Sequence, residues 1–334
     1  MPHHPLSRRG LLLATLPLLA APRALRAQAS GAGADWPRQP IRVVVPFPAG
    51  GTTDMLARLY GQRLTETLGQ PMLVENRGGG GGSIGADVVA KAPPDGTVVL
   101  FHNLTFVTTT TALQFAGRAP HDIERDFIPV SVGAFVPSIV LTQASHPAKD
   151  LKEFVEWARG RNDVFYGSTG PGSGMNLTGE TLKRDAGIQM EHVPYRGAAP
   201  LVQELIAGRV QLGSDQISTG YVHVRSGALK ALATLAPRRA RILPDVPTVR
   251  ELGFPNLEQQ GWNGYFVPAR TPDAIVQKLQ REVAAASQVP DINRRILETG
   301  GEPGGGSSAE YAAMLREQIA HIRGLVESVK LRAE

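Results

Sequence analysis

Three segments rich in glycine and hydroxyl side chains are candidate anion-binding sites in this chain of 334 residues. The first, residues 46–54 (PFPAGGTTD), lies between a strand-like run and a helix-like run. Its two glycines permit a tight turn, and Thr52, Thr53 or Asp54 could cap the helix that follows. Free N–H groups at a helix start attract anions, although the Asp54 carboxylate would compete with one. A purely structural turn between strand and helix fits the same residues.

The second segment is the glycine run at residues 77–85 (RGGGGGSIG). It matches the GxGxxG dinucleotide fingerprint and also the GxSxG nucleophile elbow, in which Ser83 would be the nucleophile. Both matches are weak, because five consecutive glycines satisfy many glycine patterns. No acid follows the next strand either, where His102 and Asn103 stand. A loop that meets a ligand through backbone amides, or a tight turn, is favoured; an exported hydrolase that uses Ser83 is the alternative.

The third segment, residues 166–176 (YGSTGPGSGMN), again follows a predicted strand and precedes a predicted helix. Its hydroxyls and N–H groups predict a second helix-start anion site. If it belongs to an opposing lobe, the two sites could hold a dicarboxylate from both sides.

Two charged side chains further along the chain could complete such a site. Arg196 could supply a cation, whereas His192 lies in a predicted strand, where a packed side chain is the more common role. For Asp215 three roles stay open: pairing with Arg196, accepting a hydrogen bond from a ligand, or capping the next turn.

Alternating strands and helices must position these loops. The predicted strands of the first unit are 41–45, 71–75 and 97–101, and its predicted helices are 53–68 and 84–90. This order implies right-handed crossovers and a parallel sheet. A similar unit follows over 138–235, and the last third is helical, ending in an amphipathic helix over 309–330.

Two such units predict an α/β fold of two lobes, with a mainly parallel sheet in each and the ligand in the cleft between them. We expect residues 30–132 and 236–334 to form lobe 1 and residues 133–235 to form lobe 2. The hinge strands are expected near 130–133 and 234–237.

Charge and composition narrow the functional classes. Residues 1–29 have a basic start with paired arginines, an apolar run and an Ala-Gln-Ala end, the pattern of a cleaved export signal for the twin-arginine or the general secretory route. The formal charge of +5 falls to +1 without their four arginines, which leaves no basic stripe for nucleic acid. The chain has no cysteine, and its histidines lack paired metal-ligand spacing, so we expect neither a metal nor another cofactor.

Several segments together resemble the extracytoplasmic solute-binding receptors of tripartite tricarboxylate transporters, often called Bug receptors. The resemblance runs through nearly the whole chain after the export signal. It is carried by residues 36–37, 40–51, 54, 74–77, 82–85, 94–96, 192–197, 243–248 and 251–253. This resemblance implies a two-lobed Venus-flytrap protein, located in the periplasm and monomeric, that has no catalytic step. It would capture a small carboxylate by hinge closure and deliver the acid to the membrane permease of such a transporter.

The resemblance also implies where the ligand is held. The 46–54 loop and the 168–176 loop would hold a ligand carboxylate through backbone amides, hydroxyls and ordered water. The family commonly has histidine where Asn176 stands and an aromatic residue where Ser214 precedes Asp215, and both positions lie on the side expected to select the ligand. The complete set of expected ligand-binding residues is Phe47, Ala49, Gly50, Gly51, Thr52, Thr53, Asp54, Ser83, His102, Asn103, Ser168, Thr169, Gly170, Ser173, Gly174, Asn176, Tyr195, Arg196, Gly197 and Asp215.

Overall fold

The computed structural model describes residues 35–331, and the predicted export signal lies outside them. Strands and helices alternate through most of this chain. The strands are β1 Ile41–Val45, β2 Met72–Asn76, β3 Val98–Asn103, β4 Phe127–Phe135, β5 Ser138–Gln143, β6 Phe165–Ser168, β7 Glu191–Pro194, β8 Gly213–Gln216, β9 Leu229–Thr234, β10 Trp262–Pro268 and β11 Glu302–Gly305. The helices are α1 Thr52–Leu68, α2 Ser83–Ala90, α3 Thr105–Phe115, α4 Ile123–Asp126, α5 Leu151–Ala158, α6 Gly174–Ala186, α7 Ala198–Ile206, α8 Ile217–Arg225, α9 Asp273–Ser287, α10 Pro290–Glu298 and α11 Ser308–Val329.

The first lobe is built on a six-stranded sheet with the order β11-β4-β10-β3-β1-β2. Strands β2, β1 and β3 are parallel, as the pattern of the first unit predicts. Strand β10, however, runs antiparallel to both β3 and β4, and β11 runs antiparallel to β4. The sheet is therefore mixed rather than mainly parallel, because the strands that lead out of and back into this lobe pair alongside the parallel half.

The second lobe has the same mixed character. Strand β5 lies between β8 and β9 and is antiparallel to both, while β6 and β7 form a parallel pair. A parallel bridge between Tyr166 and Leu212 joins the two groups of strands. The prediction of a two-lobed α/β fold is confirmed, and the parallel strands within it are only part of each sheet.

Two adjacent segments connect the lobes. The chain leaves the first sheet after Phe135 and returns to it at Trp262, and the Val136 N–H donates to the Gly261 carbonyl at 3.0 Å. A Cβ on Gly261 would lie 2.2 Å from the Val136 oxygen, so only glycine lets the two segments approach this closely.

The segment between β9 and β10 packs on the second lobe. Val249 and Leu257 lie in one buried cluster with Leu232 of β9, and the Gln259 N–H donates to the Leu235 carbonyl at 2.7 Å. This packing puts the return crossing near 259–261, further along the chain than the expected 234–237.

Apolar periodicity predicts the long helices well. Helix α11 begins at a complete capping box, in which Ser307 and Glu310 exchange hydrogen bonds, and it buries Tyr311, Leu315 and Ile319 on one face. This helix packs with Val44 and other buried residues of the first sheet. Within residues 35–331, no helix is both long enough and apolar enough to span a membrane.

Candidate functional site

A cavity of about 680 Å³ lies between the two lobes and is lined by residues of both. Gly51 from the 46–54 loop and Thr169 from the 168–176 loop share it, which brings together the two loops that the sequence singles out. A volume of this size falls in the range of about 300–1,000 Å³ that is typical of small-molecule sites. The Thr52 and Ser218 hydroxyls are hydrogen-bonded across the cleft, 2.5 Å apart.

The start of α1 presents free peptide groups to this cavity. Gly51 is the N-cap residue, and no side chain in the described part of the chain caps the helix. The N–H groups of the first turn therefore face the space lined by Gly51, Thr52 and Thr53. Aligned N–H groups at the positive end of a helix form a seat for a carboxylate without any charged side chain.

Asp54 holds this loop in place and does not line the cavity. Its carboxylate accepts hydrogen bonds from the Gly50 N–H at 3.0 Å, from Asn76 Nδ2 at 2.9 Å and from Arg58. Burial alone would raise the pKa of Asp54, but these hydrogen bonds outweigh that effect and hold the pKa below its usual value. The acid bonds backwards to Gly50, whose φ of 87° suits glycine, and so leaves the amides of the first helical turn free.

The start of α6, in the third segment, is used differently. Ser173 is its N-cap and accepts from the Asn176 N–H, and the Asn176 side chain accepts from the Gly172 N–H at 3.0 Å. The Ser168 hydroxyl accepts from the Gly170 N–H, also at 3.0 Å. This loop thus satisfies most of its own N–H groups, and Thr169 and Gly174 are the two expected residues that it contributes to the cavity wall.

A second open helix start comes from α7. Its N-cap Gly197 has no side-chain cap, and Gly197, Ala198 and Ala199 all line the cavity. The ideal Cβ position of Gly197 lies 3.4 Å from Cγ of Pro48, so the α7 start sits directly opposite the first loop. Exposed Arg196 lines the same wall. The cavity therefore meets an uncapped helix start at α7, in addition to the capped start of α6.

Asp215 is the buried acid of the cavity wall. Of the three roles left open by the sequence, the structure assigns bonds at the start of α8: the carboxylate accepts from the Gln216 N–H at 2.8 Å and from the Thr219 hydroxyl at 2.6 Å. Burial raises the pKa of Asp215 to about 6, against the lowering effect of these two hydrogen bonds. The remaining lone pairs of the Asp215 carboxylate can accept a hydrogen bond from a donor on a ligand.

Twelve of the twenty expected ligand-binding residues line the cavity, and eight do not. The twelve are Phe47, Ala49, Gly50, Gly51, Thr52, Thr53, Asn103, Thr169, Gly174, Arg196, Gly197 and Asp215. The other eight are Asp54, Ser83, His102, Ser168, Gly170, Ser173, Asn176 and Tyr195. Several of them support the wall from behind, because their side chains bond to the loop backbone. Of the two departures from the family pattern, Ser214 lines the cavity, whereas Asn176 is buried and donates to the Tyr166 hydroxyl at 2.8 Å.

Ser83 begins α2, apart from the cavity. In the part of the chain that is described, no hydrogen bond joins its hydroxyl to a histidine. His102, which lies in the adjacent strand β3, is fully buried, and burial lowers its pKa to about 3. Its Nδ1 accepts a hydrogen bond from the Asn103 N–H, and this bond occupies the ring nitrogen that could act as a base in the neutral imidazole.

Several lining residues were not anticipated from sequence. They lie within the first two turns of α1, α3, α7 and α8: Met55, Thr105, Gln203, Ser218, Thr219, Val222 and His223. The signal that could have found them is helical spacing from a predicted strand end, applied to α3, α7 and α8 as well as to α1. Among residues 35–331 no group of three or more metal-ligating side chains occurs.

Known proteins are similar to this chain over nearly its whole length. The profile described as tripartite tricarboxylate transporter family receptor matches residues 56–331. A Pseudomonas sp. (strain P51) protein, named as a UPF0065 protein in the tcbD-tcbE intergenic region, is 33% identical over 327 residues, covering 97% of this chain and 96% of the relative. BugT of Bordetella pertussis is 30% identical over 292 residues, covering 87% of this chain and 89% of BugT.

A solved structure shares the same architecture. The R. palustris protein Rpa4515, determined with adipate, superposes with a TM-score of 0.83 at 33% sequence identity. The match covers 89% of this chain and 99% of Rpa4515.

Proposed function

The chain belongs to the tripartite tricarboxylate transporter receptor family, whose members are periplasmic solute-binding receptors, and on that premise we propose that it captures a small carboxylate between its lobes. Adipate in the related R. palustris protein supports an organic acid as the class of ligand. The receptor then delivers the acid to the membrane permease of a tripartite tricarboxylate transporter. In this role the chain acts as a monomer and binds its ligand without catalysis or a cofactor.

One observation carries this proposal: the uncapped starts of α1 and α7 face the same cavity from opposite lobes. Each supplies N–H groups at the positive end of a helix, and together they form a site for a carboxylate. Such a site needs little net positive charge, in keeping with the near balance of acids and bases after residue 29.

We place the hinge at the paired segments 136–137 and 259–261, where the chain passes twice between the lobes. In an open state the starts of α1 and α7 separate, and a ligand could contact only one of them. Because the ligand gains its second set of contacts only on closure, binding shifts the equilibrium toward the closed form. Contacts such as Thr52 to Ser218 then join the lobes around the acid.

Residues 1–29 act as the export signal in this proposal, and the mature receptor begins near residue 30. Both the twin-arginine and the general secretory route fit the pattern.

The experiment that tests the function is identification of the bound compound. The mature protein is purified from its native host, denatured, and the released small molecules are analysed by mass spectrometry. The identified acid, added back at 100 times its dissociation constant, is expected to stabilise the protein by about 2.7 kcal/mol. Release of no acid, together with no thermal shift from any acid in a broad panel, would contradict the proposal.

A further inference from the structure

The cavity has a large apolar wall that a small di- or tricarboxylate would leave unused. The apolar side chains that line it include Met55, Leu104, Met175, Val202, Val222 and Leu235. Met55 is 36% exposed and Val222 is 56% exposed, which puts both among the six large apolar side chains that are exposed in the described part of the chain. Exposed apolar side chains grouped around a cavity usually mark contact with a ligand.

The position of these two side chains is fixed by the helices that meet across the cleft. Thr52 of α1 and Ser218 of α8 are hydrogen-bonded at 2.5 Å. Met55 follows Thr52 by three residues and Val222 follows Ser218 by four, so each lies about one helical turn further along the same face. Met55 and Val222 therefore flank the cavity from opposite lobes, one turn beyond the contact that joins them.

The charges of the wall limit how many carboxylates a ligand can have. Among the described residues that line the cavity, Arg196 is the one lysine or arginine and Asp215 the one acid. Arg196 is exposed, whereas Asp215 is only 5% exposed. The helix starts of α1 and α7 can hold one carboxylate, but a second one near Asp215 would meet a like charge in a poorly solvated place.

We propose that the ligand is a monocarboxylate with a bulky apolar body and a hydrogen-bond donor at the end away from the carboxylate. The carboxylate lies at the starts of α1 and α7, the apolar body contacts Met55, Val202 and Val222, and the donor bonds to Asp215. This inference rests on the proposed function, because it assigns the ligand class of that same site.

The test is titration calorimetry at pH 7.5 with three probes of increasing mismatch: 4-hydroxybenzoate, benzoate and adipate. We expect 4-hydroxybenzoate to bind at least tenfold more tightly than adipate, with benzoate between them because it lacks the donor. Tighter binding of adipate than of both aromatic acids overturns the inference but leaves the receptor function standing. If none of the three binds, the compound released on denaturation decides: a single-carboxylate apolar acid supports the inference, and a di- or tricarboxylate overturns it.

Two variants distinguish the loss of an apolar ligand contact from a general loss of folding. Val222→Ser is expected to weaken 4-hydroxybenzoate binding about fivefold, since burial of one methylene is worth about a factor of four. Adipate binding should change less than twofold. Leu73→Ser is the matched control, because Leu73 is 51% exposed on β2 and does not line the cavity; it should leave both affinities unchanged. An equal loss for both acids in Val222→Ser would overturn the apolar contact.

Asp215→Asn tests the limit on the number of carboxylates, because this variant is expected to gain affinity for a dicarboxylate. Removal of the buried negative charge is expected to raise adipate affinity at least threefold and to leave benzoate affinity nearly unchanged. A variant that merely disturbs the fold would bind both acids more weakly, and that result would overturn the role given to Asp215.

Discussion

The loops 46–54 and 168–176 have similar compositions and similar positions between a strand and a helix, but they use their peptide groups in opposite ways. In the first loop the N-cap is Gly51, which has no side chain, so the amides at the start of α1 face the cavity. In the second loop the N-cap is Ser173, and its hydroxyl accepts from the Asn176 N–H. The first loop leaves its helix start uncapped, whereas side chains of the second bond the N–H groups of Gly170, Gly172 and Asn176.

The difference depends on which position holds the polar side chain. A serine or asparagine at or near the N-cap satisfies one of the free N–H groups of its own helix. An acid three residues beyond the N-cap can instead bond backwards, as Asp54 does to the Gly50 N–H, and leaves the helix start free. An abundance of glycine and hydroxyl side chains therefore does not show whether a helix start is capped; the residue at the N-cap does. The α7 start, with Gly197 as its N-cap, follows the open pattern.

The largest expected effect on ligand affinity comes from adding a side chain at the uncapped start of α1. Gly51→Val is expected to weaken binding of the identified acid by at least 100-fold, because the branched side chain would occupy the carboxylate seat. Folding should be preserved, since the φ of Gly51 is −78° and an added Cβ would meet only the Pro48 oxygen at 3.8 Å. Calorimetric titration measures the loss.

Gly324→Val serves as the control for that variant. It adds the same side chain to α11, where nothing lies within 4 Å of an added Cβ. Its affinity for the acid should match that of the wild type. If Gly51→Val also binds normally, the open start of α1 is not the carboxylate site and the contrast between the loops loses its functional meaning.

The second largest effect is expected on stability, and it comes from Asp54, which leaves the amides at the start of α1 free. Because the folded pKa of Asp54 is lowered, its contribution to the free energy of unfolding is present above the unfolded pKa of about 3.9 and is lost as pH falls through the folded pKa. Asp54→Asn should therefore lower stability at pH 7 by about 2 kcal/mol, the typical value of hydrogen bonds to a charged group.

The measurement is urea unfolding at pH 7 and at pH 3. The stability difference between wild type and Asp54→Asn should shrink at the lower pH. A difference that is the same at both pH values would mean that the carboxylate charge does not hold the loop.

The third effect, again on stability, is expected from a residue of the 168–176 loop. Asn176→Ala removes the acceptor of the Gly172 N–H and the donor to the Tyr166 hydroxyl, and it leaves buried polar groups without partners. We expect a loss of about 1.5 kcal/mol in the free energy of unfolding. Binding of the acid should change less than threefold, because Asn176 does not line the cavity. A large loss of affinity at unchanged stability would instead make Asn176 a ligand contact.

The sequence predicts the helices of this fold better than its sheets. The apolar spacing of Leu56, Tyr60 and Leu64 predicts α1 to within one residue at its start, because one helical face has to be buried. The sequence does not predict strands β4 and β10 as partners in the first sheet, because each contains glycine and proline, which are uncommon in strands. Their antiparallel pairing is a long-range contact that local pattern does not encode.

Prediction of the site from sequence is limited in the same way. The 46–54 loop could be chosen from its place between a strand and a helix, and so could Gly51 as a lining residue. Whether an N–H group is free or already bonded depends on the rotamer and φ/ψ values of nearby residues such as Ser173, and composition does not contain that information. The face formed by Met55 and Val222 depends on how two helices from separate lobes approach each other, which only the three-dimensional structure provides.

The smallest expected effect, Ser173→Ala, separates the two loops most clearly. Loss of the N-cap hydroxyl leaves the Asn176 N–H without its acceptor and should lower the free energy of unfolding by about 1 kcal/mol. The same change also frees an N–H group at the start of α6. If free amides alone made an anion site, this variant would gain affinity for the acid. Because Ser173 is fully buried and does not line the cavity, we expect the affinity to stay within twofold of the wild type. Urea unfolding and calorimetric titration of the same sample measure both quantities, and a gain in affinity would show that α6 is a latent second seat for the carboxylate.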